Sequence, residues 1–202
     1  MIDAPPRTRT PDWNDGLAAS MPISSRLPFN DKKPERLVQK LGDDVLKNLD
    51  PLLNADVLHA LQSMGHGDEL VICDAHFPSD SIARQTVIGK LLRIDAVSAP
   101  RVLKAVLSVM PLDTFVDAPA LRMEVVGAPD TLPAAQQEAI RELEASGEKA
   151  TFAPLERMAF YERAKQAYCV IASGEQRGYG CFILKKGVLI AADAESRPGA
   201  VQ

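Results

Sequence analysis

Two of the chain's three histidines bracket one short apolar run, with an aspartate beside the second. The glycine-flanked His66 stands just before Leu70-Val71-Ile72-Cys73, and Asp74 and His76 stand just after it. An imidazole with an ordinary pKa near ~6.5 gives or takes a proton at neutral pH. A carboxylate can accept hydrogen bonds from a polar substrate or orient a histidine. A small uncharged substrate that needs a proton moved would find both an acid and a base in this stretch.

Each residue alone also has a plainer reading. A histidine after a helix can simply end it, and an aspartate after a strand can simply cap the turn. Arg157 could pair with Glu156 or Glu162 on a solvated helix, which is worth little. Tyr161 lies one helical turn after Arg157, so either could be packing. His59 falls on the polar side of its helix and is expected in solvent. The joint occurrence of these groups singles out His66 and Asp74.

Metal chemistry is not expected. Cys73 and His76 form a Cys-x-x-His pair, but zinc needs more ligands than that and no second such pair exists. The cysteines, Cys73, Cys169 and Cys181, are odd in number and lie in apolar runs. They read as buried hydrophobes in a reducing compartment. A net charge of -4 argues against a nucleic-acid surface, which would cluster Lys and Arg. No run approaches the ~18 apolar residues of a membrane span, and no secretory h-region opens the chain. The cytoplasm is the expected location.

The elements that must position these residues occupy the middle of the chain. Residues 1–44 mix Pro5, Pro6, Pro11, Pro22, Pro28 and Pro34 with Arg, Asp and Ser. They show no apolar period and are expected to be a disordered extension. An alternative expectation is that the natural product starts at Val45, with the upstream residues a mis-assigned start. From Val45 the pattern is globular. Asn54 caps a helix with Val57, Leu58, Leu61 and Met64 on one face, and Gly65 ends it. Leu70–Cys73 and Leu91–Ile94 read as strands. A helix from Ser98 turns Val102, Leu103, Val106 and Val109 inward until Pro111 stops it.

Leu121–Val126 reads as a strand, 133–143 as a mostly polar surface helix, and 155–165 as a helix leading into the strand 168–172. The turn 173–180 delivers a last strand, 181–184. Residues 191–202 are expected to be a flexible tail. Alternating strands and helices predict a three-layer α/β domain over 45–190, its largely parallel sheet flanked by helices. The last two strands, joined by a short turn, are expected to form an antiparallel C-terminal addition. Sites in such folds collect at the carboxyl ends of strands, where Asp74 and the turn around Tyr179 fall.

Four segments carry a family resemblance. Met-Gly-His-Gly-Asp-Glu at 64–69, Asp-Ala-His-Phe-Pro at 74–78 and Arg-Met-Ala-Phe-Tyr-Glu-Arg-Ala at 157–164 are the first three. The fourth is Tyr-Gly at 179–180, followed by Ile-Leu-Lys-Lys-Gly-Val at 183–188. Together they closely resemble the small sugar-epimer family of L-fucose mutarotase and D-ribose pyranase, over nearly all of 45–190. Gly67 and Ala75-His76-Phe77-Pro78 resemble the fucose branch; the ribose branch has threonine and Ala-Gly-Leu-Pro there. The resemblance implies exchange of the α and β anomers of L-fucose or a related monosaccharide, without a cofactor. Ribose pyranose–furanose exchange and non-catalytic sugar binding are the alternatives. It also implies a ring-shaped homo-oligomer, often a decamer, with sites at subunit contacts.

By the same resemblance His66 is the proton donor, and Asp74 and Arg157 bind sugar. Tyr179 and Gly180 match the first two residues of a Tyr-Gly-Asn binding triplet. The third is Cys181 here, a thiol in place of an amide that both donates and accepts. His76 would select fucose over ribose by filling space or bonding a hydroxyl. The chemistry suits so small a set of groups. Opening a hemiacetal takes a proton from the anomeric hydroxyl and gives one to the ring oxygen. Sugar rings open unaided in water, and one positioned acid or base adds ~10²–10⁴-fold. Arg157 offers a planar fork of donors, and Tyr179 a ring to stack on a sugar face.

Overall fold

The computed structural model describes residues 46–189. The extension 1–44, the proposed start at Val45 and the tail 191–202 lie outside the described residues. Helix α1 spans Ala55–Ser63, with the Asn54 side chain accepting from the Val57 N–H, as its cap position demands. Strand β1 is Glu69–Cys73. A short helix α2, Ser79–Ala83, follows, one the sequence analysis did not predict. Strand β2 is Leu91–Ile94 and helix α3 is Ala99–Leu107, with Pro100 in its first turn. Strand β3, Ala120–Met123, is shorter than expected and gives way to a turn before Gly127.

Helix α4 is Ala134–Ala145, and a strand β4, Phe152–Leu155, precedes helix α5, Arg157–Lys165. The sequence analysis missed β4 and began α5 two residues early. The Glu156 carboxylate caps α5 by accepting from the Met158 and Ala159 N–H groups, so the helix cannot start at Leu155. Pro154 fits in β4 because β4 is an edge strand, where a missing N–H leaves no ladder bond unmade. Strands β5, Cys169–Ser173, and β6, Phe182–Lys185, complete the fold.

The six strands form one sheet in the order β2-β5-β1-β6-β3-β4. Parallel ladders join β2 to β5, β5 to β1, and β3 to β4. Strand β6 runs against both of its neighbours, β1 and β3. The antiparallel C-terminal strand is therefore present, but it does not pair with β5. It is inserted at the centre, where its apolar Phe182-Ile183-Leu184 are buried on both faces. Alternation divides the core between the two faces of the sheet. Leu70 and Ile72 pack with α1, α3 and α4 residues such as Leu61, Leu103 and Leu143. Val71 and Cys73 pack with Ile82 of α2 and Phe160 of α5. Helices thus cover both faces, giving three layers.

Candidate functional site

The carboxyl end of the sheet carries a cavity of about 350 Å³, lined by Asp74, His76, Phe77, Met123, Arg157, Tyr161, Gly178, Tyr179 and Cys181. That size falls at the small end of small-molecule pockets. Its lining comes from the loop after β1, the end of β3, the start of α5 and the turn before β6. A larger groove of about 470 Å³ lies elsewhere, lined mainly by Leu49, Leu58, Leu61, Val109 and Met110. Its one charged group, Lys186, already donates to the Leu61 and Met64 carbonyls at the end of α1. The groove has no other ionisable side chain in its lining.

Asp74 is the organiser of the cavity. Its Oδ1 accepts from the His76 and Phe77 backbone N–H groups, each at 3.0 Å. Its Oδ2 accepts from the Gly180 N–H at 3.0 Å and from the Cys181 thiol at 3.4 Å. A carboxylate has about four lone-pair sites, so this buried group is fully engaged by protein donors. It ties the loop after β1 to the turn before β6. Gly180 is required at that tie: a Cβ there would stand 2.8 Å from Glu175 Cγ. Burial, with the nearby Asp74 charge, pushes the Cys181 thiol well above its usual value, so it stays a donor.

The other expected residues arrive from separate elements. His76 is exposed, its Nε2 2.8 Å from the Gln176 carbonyl oxygen. Arg157, the first residue of α5, is exposed and has no hydrogen-bond partner among the described residues. Its guanidinium fork is uncommitted among those residues. Tyr161 lies one turn on and stacks edge-on against Phe77, ring centroids 5.3 Å apart. Tyr179 has φ +62, a left-handed conformation that costs a non-glycine residue energy. The strain is held by two bonds: its hydroxyl accepts from the Val126 N–H, and its carbonyl from Gln136 Nε2. Around the rim, Arg177 bridges Glu175 and Glu138. The Arg177 guanidinium outweighs burial and holds the Glu175 carboxyl below its ordinary range.

His66 is not in this cavity. It stands on the turn before β1, at the amino end of the strand, while Asp74 follows the carboxyl end. The four residue steps of β1 alone separate them by roughly 13 Å. Within one chain the acid–base pair suggested by proximity in sequence does not assemble. His66 is instead half-exposed, its Nε2 3.1 Å from Asp113 Oδ1. Its ring meets Phe115 edge-on at 5.5 Å. The turn is shaped by Gly67 at φ +85 and by Asp68, whose carboxylate accepts from the Gly65 N–H.

The sequence analysis missed two residues. Gln136, on a helix read as polar and superficial, has no exposed surface and bonds Met123, Tyr179 and Arg122. Asp113, in a stretch without period, is buried beside His66. No local pattern marks either one. Among the described residues no group of three or more His, Cys, Asp or Glu could hold a metal ion. Among them, too, no helix is long and apolar enough to cross a membrane.

Comparison with known proteins places this geometry. Residues 47–189 match the model of the RbsD / FucU transport protein family. Human fucose mutarotase is 43% identical over 149 residues, 71% of this chain and 94% of the relative. L-fucose mutarotase of Histophilus somni strain 2336 is 39% identical over 145 residues, 71% of this chain and 97% of the relative. The crystal structure of protein Atu2016 superimposes with a TM-score of 0.71 at 60% identity, covering 74% of this chain and 99% of that one. The fucose mutarotase of Streptococcus pneumoniae in complex with L-fucose gives a TM-score of 0.65 at 40% identity, over 72% of this chain and 100% of that one. With its matched segment spanning the whole described fold, this chain belongs to the RbsD / FucU family.

Proposed function

We propose that the protein is a cofactor-free mutarotase that interconverts the α and β anomers of L-fucose or a closely related monosaccharide. The observation that carries this reading is the cavity at the carboxyl end of the sheet. It joins an unpaired Arg157 fork and the exposed His76 ring to the aromatic surfaces of Phe77, Tyr161 and Tyr179. A sugar ring presents hydroxyl edges and an apolar face, and that lining offers a partner for each. Arg157 donates to neighbouring hydroxyls, Tyr179 and Tyr161 cover the ring, and His76 bounds the pocket beside Gln176. Asp74 shapes the cradle. A hydroxyl reaches its carboxylate by displacing the thiol of Cys181, the weakest of its four donors. The curated fucose mutarotases among the relatives agree with this substrate.

His66 supplies the proton chemistry in this proposal, and a neighbouring copy supplies His66. The proton leaves the anomeric hydroxyl, the bond from C1 to the ring oxygen breaks, and the ring oxygen takes up a proton. Closure on the other face of the aldehyde reverses these steps. The exposed Phe115 and Val116 beside His66, and the exposed Val126 and Met158 beside the cavity, give the two ends apolar surfaces to meet on. A contact between unlike ends is heterologous, the kind that builds a ring when its rotation closes. Sites at subunit contacts of a homo-oligomer follow. The three unpaired, buried cysteines support a cytoplasmic setting.

Saturation-transfer NMR on equilibrated L-fucose tests the reading. His66→Ala is expected to abolish enzymatic exchange while the protein keeps its assembled size. Wild-type exchange in that variant would remove His66 from the mechanism. D-Ribose run in parallel separates the fucose reading from a pyranase.

A further inference from the structure

We infer that Gln136 is a positioning residue for the sugar, holding Tyr179 and the Asp74 clamp in register through the Tyr179–Gly180 peptide. This rests on the reading that the cavity takes a sugar, and it adds a residue that does not line that cavity. Gln136 lies in the first turn of α4 with no exposed surface. Its Nε2 donates to the Tyr179 carbonyl at 2.9 Å and to the Met123 carbonyl at 2.7 Å. Tyr179 and Met123 both line the cavity. The two amide hydrogens are spent on them. Gln136 Oε1 accepts from Arg122 at 3.3 Å, and Arg122 also donates to the Pro129 carbonyl at 3.2 Å. A guanidinium has only donors, so it fixes which way the amide points. A reversed amide would set its oxygen against two carbonyl oxygens and its nitrogen against the guanidinium.

One peptide group carries the effect. The C=O of the Tyr179–Gly180 peptide is held by Gln136, and its N–H donates to Asp74 Oδ2 at 3.0 Å. Helix α4 and the loop after β1 grip the same plane from opposite edges. Tyr179 is left-handed at φ +62, a conformation a tyrosine keeps only when its surroundings over-determine it. The Val126 N–H fixes the far end of the ring at the hydroxyl, in the segment that Arg122 ties down through Pro129. Two residues further along α4, Glu138 holds Arg177 of the same turn by paired bonds of 2.7 and 2.9 Å. The helix is the template on which the turn before β6 is laid, and Gln136 is the buried end of that template.

A glutamine that served folding alone would leave sugar affinity untouched in the folded variant. Gln136→Met keeps the length of the side chain and removes both donors. Calorimetry with L-fucose and with D-ribose reads affinity, and thermal unfolding checks that the variant is folded. Affinity is expected to weaken about 5- to 30-fold, about 1–2 kcal/mol at 1.4 kcal/mol per tenfold. A second arm uses Tyr179→Gly, which removes the ring and lets the left-handed backbone form without strain. In that background Gln136→Met should weaken affinity by less than about 2-fold further, because residues that act through one another are not additive. If the wild type binds either sugar and folded Gln136→Met binds it equally, the inference fails and the proposed function stands. Equal losses in the two backgrounds also overturn it. A wild type that binds neither sugar overturns the proposed function, and this inference with it. Should Gln136→Met not fold, NMR of the wild type decides: the Gln136 side-chain amide resonances shift as the bound sugar is titrated in, and silent resonances refute the role.

Discussion

Asp74→Asn separates a residue that builds the cavity from one that only binds sugar. The asparagine Oδ1 can keep the bonds from the His76 and Phe77 N–H groups. Its amide nitrogen then faces the Gly180 N–H and the Cys181 thiol, both donors now without an acceptor. Gly180 is buried, so its N–H cannot recover a water. One orphaned buried donor costs about 1–3 kcal/mol, and the thiol adds little. For a domain of this size each kcal/mol moves Tm by roughly 2–4 °C, so a fall of about 3–10 °C is expected. Urea unfolding at fixed protein concentration, with ligand absent, gives the same quantity as a lower midpoint at unchanged slope. Hydrogen exchange should rise in the turn 176–181 and not in α3. A variant with the wild-type midpoint that has lost only sugar affinity would refute the clamp.

Three further outcomes follow from other contacts. Lys186→Met removes two ammonium bonds, at 2.7 and 2.6 Å, to the last carbonyls of α1. It should cost about 1.5–3 kcal/mol in urea unfolding and speed amide exchange at Gly65–Gly67; an unchanged midpoint would contradict it. Glu175 has a lowered folded pKa, with Arg177 as first cause. Its contribution is complete above its unfolded value of 4.5 and is lost as pH falls through the lower folded value. Glu175→Gln should therefore lose less stability than the wild type as pH falls below 4.5, with parallel acid limbs the opposing result. Cys181→Ala frees one acceptor site on Asp74 and should leave L-fucose affinity equal or tighter by calorimetry. A tenfold weaker affinity would mean that the thiol itself holds the sugar.

Local chemistry made much of this fold legible. Asn54 before an apolar stripe, Pro100 in a first turn and the unbroken run Leu70–Cys73 each announce their element, because the cause lies within a few residues. Strand β4 fails that test. Phe152-Ala153-Pro154-Leu155 carries a proline and no alternation, and only its edge position beside β3 makes it a strand. The place of β6 was hidden for a similar reason. A short turn after β5 suggests a hairpin, yet β1 already occupies that side of β5, so β6 pairs with β1 instead. Gln136 reads as surface because polarity is local, whereas its partners Met123 and Tyr179 come from elsewhere in the chain.

The candidate site divides along the same line. Asp74 and His76 stood out by type and position, Arg157, Tyr179 and Cys181 through the family resemblance, and the fold gathers all five at one cavity. His66 was singled out just as clearly and lies elsewhere. Nearness in sequence misleads here because an extended strand is the conformation that carries its two ends furthest apart, about 3.3 Å for every residue. A histidine before β1 and an aspartate after it are held apart by the stiffest element of the domain, buried at the centre of the sheet. No loop movement within one chain can close that distance without dismantling β1 from β5 and β6. If His66 and the cavity serve one reaction, as proposed, the missing half of each site has to come from another copy, and assembly becomes a condition of activity rather than an accompaniment to it.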